Sequence, residues 1–513
     1  MNQTTAAPTN VIRQVIIASS VGTMIEWYDF YIFGMLAKTI SNQFFPEGNA
    51  TAALLSTLAI FAAGFIVRPF GALVFGRLGD MIGRKYTFLL TLILMGGSTF
   101  LIGLVPDYKS IGMAAPLIVL LLRLVQGLAL GGEYGGAATY VAEYSPARKR
   151  GYYTSWIQTT ATLGLFVALG VIMLVKLNMS DEQFNAPWGG WRYPFWVSIF
   201  LVIVSIYIRM KMDESPIFSK LKKEGKTSSN PLKESFRNKA NFKMVLLALF
   251  GAVMGQGVIW YTGQFYAQSF LETKCALEFE QSRTIMLWAI AFATPFFLFF
   301  GWLSDRIGRK WIMLSGMLLG VVLYPFIFGA FLKDTDTKTW LADNPQLVKE
   351  ERKVSVHGEQ SIVQVSAHYE TASGAEYTRL TTDTVAQLST ADLATNTAKA
   401  TSYVNKKLPQ GTYIKFTFLI WVMVVLVTMV YGPIAAFLVE MFPTKIRYTS
   451  MSLPYHIGNG VFGGLVPFIG LLLTTSFPNE PLVGLWYPIG IAALCFIIGS
   501  IYLSNKIDRD VTD

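Results

Sequence analysis

GRLGDMIGRK, residues 76 to 85, and GWLSDRIGRK, residues 301 to 310, are one turn written twice. Gly76, Asp80, Gly83, Arg84 and Lys85 of the first copy stand where Gly301, Asp305, Gly308, Arg309 and Lys310 stand in the second. Each copy is short, charged and punctuated by glycine, between two long apolar runs. Charge is costly inside a bilayer, so such a turn marks a place where the chain has left it. Its return predicts a protein built from two like halves.

Of 513 residues, 53% are hydrophobic and 14% charged, and the mean hydropathy is +0.44. An ordinary soluble domain carries about 25% charged residues. Apolar runs of about 20 residues, enough to cross a ~30 Å hydrocarbon core, recur along the chain. Nothing alternates as a lipid-facing barrel strand would. The expected fold is all-α and integral to a membrane. The net charge of +10 excludes neither water nor lipid, but its placement argues against nucleic acid: Lys and Arg gather in the turns, the positive-inside pattern. Cys275, Cys495 and three histidines show no metal-ligand spacing, and no cofactor is expected. No GxxxxGK[ST] stretch is present to handle ATP, and no nucleophile–base pair suggests an enzyme. The first apolar run contains acids and extends too far for a cleaved leader, so it is expected to remain as the first span.

Taken in order, residues 1–12 read as a disordered polar lead and 13–210 as six spans. Residues 211–241, rich in Lys, Ser and Asn, read as a solvated linker, 242–504 as six more spans, and 505–513 as a short tail. The expectation is twelve transmembrane helices in two pseudo-symmetric six-helix bundles. Arg77, Arg84, Lys85, Arg148, Lys149, Arg150, the linker, Arg306, Arg309, Lys310, Lys445 and Arg447 fall on one side. That places both termini and the linker in the cytoplasm of a multi-pass cell (inner) membrane protein.

A second echo tests the duplication. VAEYSPARKRG at 141–151 and LVEMFPTKIRY at 438–448 share the spacing of Glu143, Pro146, Arg148 and Arg150 with Glu440, Pro443, Lys445 and Arg447. Gly301 follows Gly76 by 225 residues, whereas Glu440 follows Glu143 by 297, so 72 extra residues lie between 310 and 440. The one long polar stretch there is 333–412, whose middle alternates β-branched and polar residues as short strands do. A small, partly β, extracytoplasmic insertion between the ninth and tenth spans is predicted.

Through Gly76, Leu78, Asp80, Gly83, Arg84 and Lys85 the chain resembles the major facilitator superfamily. GTMIEWYDFYIFG at 22–34, FIVRPFGALVFGRLGD at 65–80 and RLVQGLALGGEYGGAATYVAEYSPARKRG at 123–151 look like its metabolite:proton symporters, permeases for α-ketoglutarate, shikimate, citrate and proline or betaine. The resemblance implies proton-coupled symport of a small metabolite by alternating access. A carboxylate-bearing acid is the expected solute and a proline- or betaine-like zwitterion the alternative. A membrane sensor using 333–412 as its ligand domain is a rival of another class. The expected partners are the solute, the proton and the bilayer, with a monomer as the working unit.

Glu26 and Asp29 lie three residues apart, on one face of the first span. Acids there line a wet path or pair with a base, so each is a candidate proton carrier or the partner of Arg68 or Arg123. Glu133 is the third proton-coupling candidate. Arg68 and Arg123 offer planar forks for a carboxylate. Tyr134, Gln158, Gln256, Trp260, Tyr261, Tyr455 and Asn459 are candidates for the solute's polar body. Gly76, Asp80, Gly83, Arg84 and Lys85 are expected to form a cytoplasmic gate with Asp305, Arg309 and Lys310. Glu143 and Glu440 would join it by pairing with Arg148, Arg150, Lys445 and Arg447.

Overall fold

The computed structural model describes residues 9–46, 50–211, 213–225, 227–357, 360–385 and 400–505. The tail beyond 505 and the lead before residue 9 lie outside it. Eleven helices among the described residues are long and apolar enough to cross a membrane. Thr9–Met35 makes the twelfth span: its 27 residues cover about 40 Å at 1.5 Å per residue. This helix takes in residues 9–12, which the sequence reading left in a disordered lead. Ile12, Val15 and Ile16 form an apolar stripe buried against Ala137 and Val141, and that contact orders the extra turn.

The second span is Ala50–Ile66 continued by Arg68–Met81. Its break at Val67 falls just before Pro69, which has no N–H and collides with a continuing helix. The third is Arg84–Ile102, the fourth Ala114–Tyr144, the fifth Arg150–Gln158 with Thr160–Leu177, and the sixth Tyr193–Met210. The second half runs through Lys239–Thr273, Phe279–Ile307, Lys310–Asp334, Gln410–Met441, Thr444–Ser476 and Trp486–Tyr502. The seventh span carries π turns at Leu249–Val253 and Thr262–Tyr266, and the eleventh one at Ile457–Gly463. Such turns interrupt the regular ladder and cluster at working sites.

Small residues set how closely the helices approach. A Cβ on Gly127 would stand 2.2 Å from the Gly64 carbonyl oxygen, and one on Gly131 2.2 Å from that of Arg68, so the second and fourth spans touch backbone to backbone. That contact fixes Arg68 and Arg123 on neighbouring helices.

The segment between the spans of the two halves is docked rather than solvated. It folds into Pro216–Lys223 and Pro231–Arg237, capped by Ser215 and Asn230. Phe218 is buried, the hydroxyls of Tyr140 and Tyr144 donate to the carbonyls of Asp213 and Glu214, and Ser450 meets Ser235 at 2.9 Å. The linker is a strap across the basic-turn side of both halves.

The insertion is a four-stranded antiparallel meander, β1 Gln346–His357, β2 Gln360–Glu370, β3 Glu376–Val385 and β4 Ala400–Lys407, in the order β1-β2-β3-β4. The strands are longer than the short ones expected. Their root is fastened to the second half. The Lys406 backbone exchanges hydrogen bonds with Ala276 and Glu278, its Nζ reaches the Thr335 carbonyl at 2.6 Å, and Leu408 N–H donates to Gln281. Burial beside this root raises the Cys275 thiol to about 12.

Gly131→Val is expected to lower the melting temperature of the detergent-solubilised protein by several degrees, the consequence of overpacking worth about 1–3 kcal/mol. Gly170→Val, where an added Cβ meets nothing within 4 Å, should leave it unchanged.

Candidate functional site

At the basic-turn side the two repeated carboxylates cross between halves. Asp80 Oδ2 accepts from the Thr449 N–H at 2.9 Å and from its hydroxyl at 2.8 Å, at the start of the eleventh span. Asp305 accepts from the N–H groups of Gly151 and Tyr152, each at 2.8 Å, at the start of the fifth. Each acid therefore sits on the positive end of a helix belonging to the other half. Gly76 and Gly301 make the approach possible: a Cβ on Gly76 would come to 3.0 Å from Thr449 Cα, and one on Gly301 to 2.4 Å from Ser155 Oγ.

Five more groups close the same seam. Arg447 of the eleventh span pairs with Glu143 of the fourth at 3.2 Å, and Arg150 of the fifth with Glu440 of the tenth at 2.9 Å. Arg309 forks onto both oxygens of Glu440 at 2.7 and 2.8 Å and touches Asp305 at 3.2 Å. The lysines act within their own halves. Lys85 Nζ bonds the Met210 carbonyl ending the sixth span, and Lys310 Nζ the Ser500 and Leu503 carbonyls ending the twelfth. Gly83 and Gly308, at φ of +131° and +97°, make the turn that brings this about.

Arg148 departs from expectation. It stands exposed on the short Ala147–Lys149 turn, with no ion pair among the described residues; Arg150, two positions on, points inward instead. Lys445 pairs with Glu234 of the linker at 3.0 Å and not with Glu143 or Glu440. The Arg84 side chain lies outside the described residues.

Deeper in, the three expected proton-coupling acids separate. Glu133 is bound by a partner the sequence reading missed: Arg209 of the sixth span meets it at 2.7 Å, both side chains about 1% exposed, and Thr91 donates to its other oxygen at 3.0 Å. Arg209 also donates to the Phe88 carbonyl and lies over the Phe88 ring. A basic residue near the end of an apolar run was the available signal. Glu133 is thus held in a compensated ion pair. Asp29 takes the Thr99 hydroxyl at 2.8 Å on Oδ2, with no partner on Oδ1 among the described residues. Glu26 has a buried Oε2 with no hydrogen bond, and Glu133, Arg68, Arg209 and Asp29 bear on it electrostatically. Neither Arg68 nor Arg123 makes a salt bridge to Glu26 or Asp29 among the described residues.

Aromatic rings from both halves meet around Glu26 and Arg68. Trp27 lies 4.9 Å from Trp260, Tyr134 stacks on Tyr455 at 3.7 Å and 4°, and Phe65 meets Tyr261 at 5.8 Å. Gln158 donates to the Tyr134 hydroxyl at 2.8 Å, and the Tyr455 and Tyr431 hydroxyls are 2.5 Å apart. Gln256 and Asn459 exchange two amide hydrogen bonds, of 3.1 and 2.8 Å. The guanidinium of Arg68 covers the Phe65 ring at 4.4 Å, its Nε unpartnered, as is the buried Trp260 Nε1. Buried polar groups are normally satisfied, and these two nitrogens have no hydrogen-bond partner among the described residues. The second span, through Phe65 and Arg68, joins the first, fourth, fifth, seventh, tenth and eleventh in contributing side chains to this cluster.

The family described as Sugar (and other) transporter matches residues 15–240. The inner membrane metabolite transport protein YhjE of Escherichia coli is 32% identical over 475 residues, 92% of this chain and 90% of that one. The α-ketoglutarate permease of Escherichia coli is 35% identical over 61% of this chain and 70% of its own. The proline/betaine transporter of Salmonella typhimurium is 34% identical over 63% of this chain and 64% of its own. Among solved structures, the proton:xylose symporter XylE bound to 6-bromo-6-deoxy-D-glucose superposes with a TM-score of 0.66 at 15% identity, covering 97% of this chain and 96% of that one. The chain belongs to the major facilitator superfamily. Within it, it is a multi-pass metabolite transporter and not an enzyme.

Removing a carboxylate seated on a helix end costs up to about 2 kcal/mol. Asp80→Ala and Asp305→Ala are each expected to open the basic-turn side part of the time. Spin labels at Arg148 and Arg306, exposed positions in opposite halves, should gain a longer-distance component; an unchanged distance distribution would count against the latch.

Proposed function

We propose that this chain is a proton-coupled symporter of a small carboxylate-bearing metabolite, working by alternating access of two bundles, 13–210 and 242–504. The observation that carries the proposal is that the buried Glu26 Oε2 and Arg68 Nε both lack a hydrogen-bond partner among the described residues, while Arg68 bears on Glu26 electrostatically. An arginine with open donors is suited to a carboxylate. An adjacent acid must be neutral or paired to be tolerated at that depth. With Glu26 protonated, Arg68 keeps its charge for the solute; when Glu26 loses its proton, it competes for that charge and favours release. Proton and anion then travel together.

Alternation needs a seam that opens on one side at a time. The crossed Asp80 and Asp305 contacts and the Glu143–Arg447 and Glu440–Arg150 pairs form the gate on the side assigned to the cytoplasm. Gly76, Gly83, Lys85, Arg309 and Lys310 support them. With these contacts made, the arrangement is closed to that side. The linker, 211–241, and both termini are assigned to the cytoplasm of an inner-membrane protein, and the insertion, 333–412, to the opposite side.

A zwitterion such as proline or betaine is the second reading, favoured by the ring cluster of Trp27, Trp260 and Tyr431. Such rings attract a cationic head by about 0.5–2 kcal/mol, beside an ionised Glu26. The names of the α-ketoglutarate permease and the proline/betaine transporter span both choices.

Uptake into proteoliposomes of labelled α-ketoglutarate, shikimate, proline and glycine betaine, with the pH gradient imposed or collapsed, tests the proposal. Gradient-driven uptake of an acid is expected to fall at least tenfold in Glu26→Gln while exchange of solute across the membrane persists. Arg68→Lys, which keeps the charge but loses the fork, should raise KM about tenfold, equivalent to ~1.4 kcal/mol. Uptake of none of the panel, or uptake indifferent to the gradient, would refute the coupled reading.

A further inference from the structure

Between Asp29 and Arg123 runs a neutral bridge built from two spans, Thr99 of the third and Gln126 of the fourth. Thr99 Oγ1 lies 2.8 Å from Asp29 Oδ2 and 2.8 Å from Gln126 Nε2, with the Met95 carbonyl oxygen 3.1 Å away. Gln126 Oε1 in turn accepts from Arg123 Nη1. Every member is buried: Asp29 and Thr99 are 1% exposed, Gln126 1% and Arg123 4%. The Arg123 guanidinium lies over the Phe33 and Phe61 rings at 4.1 and 5.0 Å, and its Nε has no partner.

We infer that Thr99 and Gln126 are positioning residues that let Asp29 gain or lose a proton without stranding a buried polar group, while holding it at a set separation from Arg123. The inference rests on the proton-coupled reading above and assigns the coupling machinery two residues that carry no charge.

The argument is a count of hydrogens and lone pairs. A threonine hydroxyl has one hydrogen and two acceptor lone pairs. When Asp29 is ionised, the Thr99 hydrogen points to Oδ2 and one lone pair takes the Gln126 amide hydrogen. When Oδ2 holds a proton, that O–H donates to the second lone pair, and the Thr99 hydrogen turns to the Met95 carbonyl. The Gln126 bond is kept in both states. One proton is added and no donor is orphaned. A proton on Oδ1 would instead be a buried donor with no acceptor, at a cost of about 1–3 kcal/mol. The bridge therefore selects the oxygen that faces it.

The charged groups bearing on Asp29 are Arg123 on the fourth span and Glu26 on its own. The third span contributes the Thr99 hydroxyl, and Arg209 of the sixth is taken by Glu133. No salt bridge joins Asp29 to Arg123 among the described residues, so the bridge holds them at a set separation. Neutralising Asp29 removes the counter-charge of Arg123 and makes its surroundings more positive, which orders binding as proton first and anion second.

Infrared difference spectra of the purified protein between acidic and alkaline pH test this without any solute. A protonated-carboxyl band should vanish in Asp29→Asn. In Thr99→Val it should persist at a shifted frequency, and in Thr99→Ser, which restores the hydroxyl, return to the wild-type position. Gln126→Leu should also displace it, and carries the test if Thr99→Val does not fold. A band unmoved by Thr99→Val, or by Gln126→Leu where that variant stands in, would overturn the proposal, as would the absence of any Asp29-dependent band. The response of wild-type uptake to a collapsed gradient judges the symport reading separately, since Glu26 could support coupling even if Asp29 never titrates.

Discussion

A carboxylate seated on the amino-terminal end of a helix from the opposite bundle is the contact on which this architecture depends. A helix end leaves N–H groups without intrahelical partners and carries about half a positive charge. At the rim of a bilayer neither that end nor a free acid is well served by solvent. Asp80 and Asp305 solve the problem reciprocally, each half supplying the acid for the other half's fifth helix. Lys85 and Lys310 do the complementary task at helix carboxyl ends without leaving their own half. One ten-residue turn therefore encodes both the cohesion of each bundle and the adhesion between them.

The buried acids show how compensation separates structure from work. Glu133 has Arg209 and Thr91, and truncating one partner of such a pair typically costs 3–5 kcal/mol because the other is left uncompensated. It fastens the fourth span to the third and sixth. Asp29 is hydrogen-bonded through one oxygen only and Glu26 through neither among the described residues, and the rings around them supply no hydrogen bonds. A group left in that condition is stable only if something else arrives, and a proton or a solute is what a transporter can offer. The Tyr134–Tyr455 stack and the Trp27–Trp260 contact join the two halves beside Glu26, so under the proposed function a solute bound there would be felt by both.

Much of the architecture could be read from the chain because it rests on period and repetition. The paired turns gave the duplication, and their unequal offsets placed the insertion before any strand was counted. The break in the second span at Val67 was not foreseen, though Pro69 accounts for it. Side-chain partners were harder. The sequence leaves Glu133 several helices to face, and the rotation that turns it toward Arg209 is set by glycines packing the fourth span against the second. Arg148 and Arg150 are alike on paper, yet a single turn of 3₁₀ geometry sends one outward and the other into the seam. Thr99 and Gln126 were invisible, since neutral polar residues occur in apolar helices for many reasons and only their distances to Asp29 and Arg123 single them out. The lead before the first span looked featureless until Ile12 met the fourth helix.

The β-meander is anchored through Lys406, Leu408 and the turns beside the eighth and ninth spans, all in the carboxyl-terminal bundle. Strands of 10 to 12 residues reach roughly 35 Å at about 3.3 Å apiece. A rigid blade fixed to one of two rocking bodies behaves as a pointer: a modest tilt of its base becomes a large sweep at its tip. Under the alternating-access reading proposed above, the insertion would turn motion of the carboxyl-terminal bundle into displacement of its own tip.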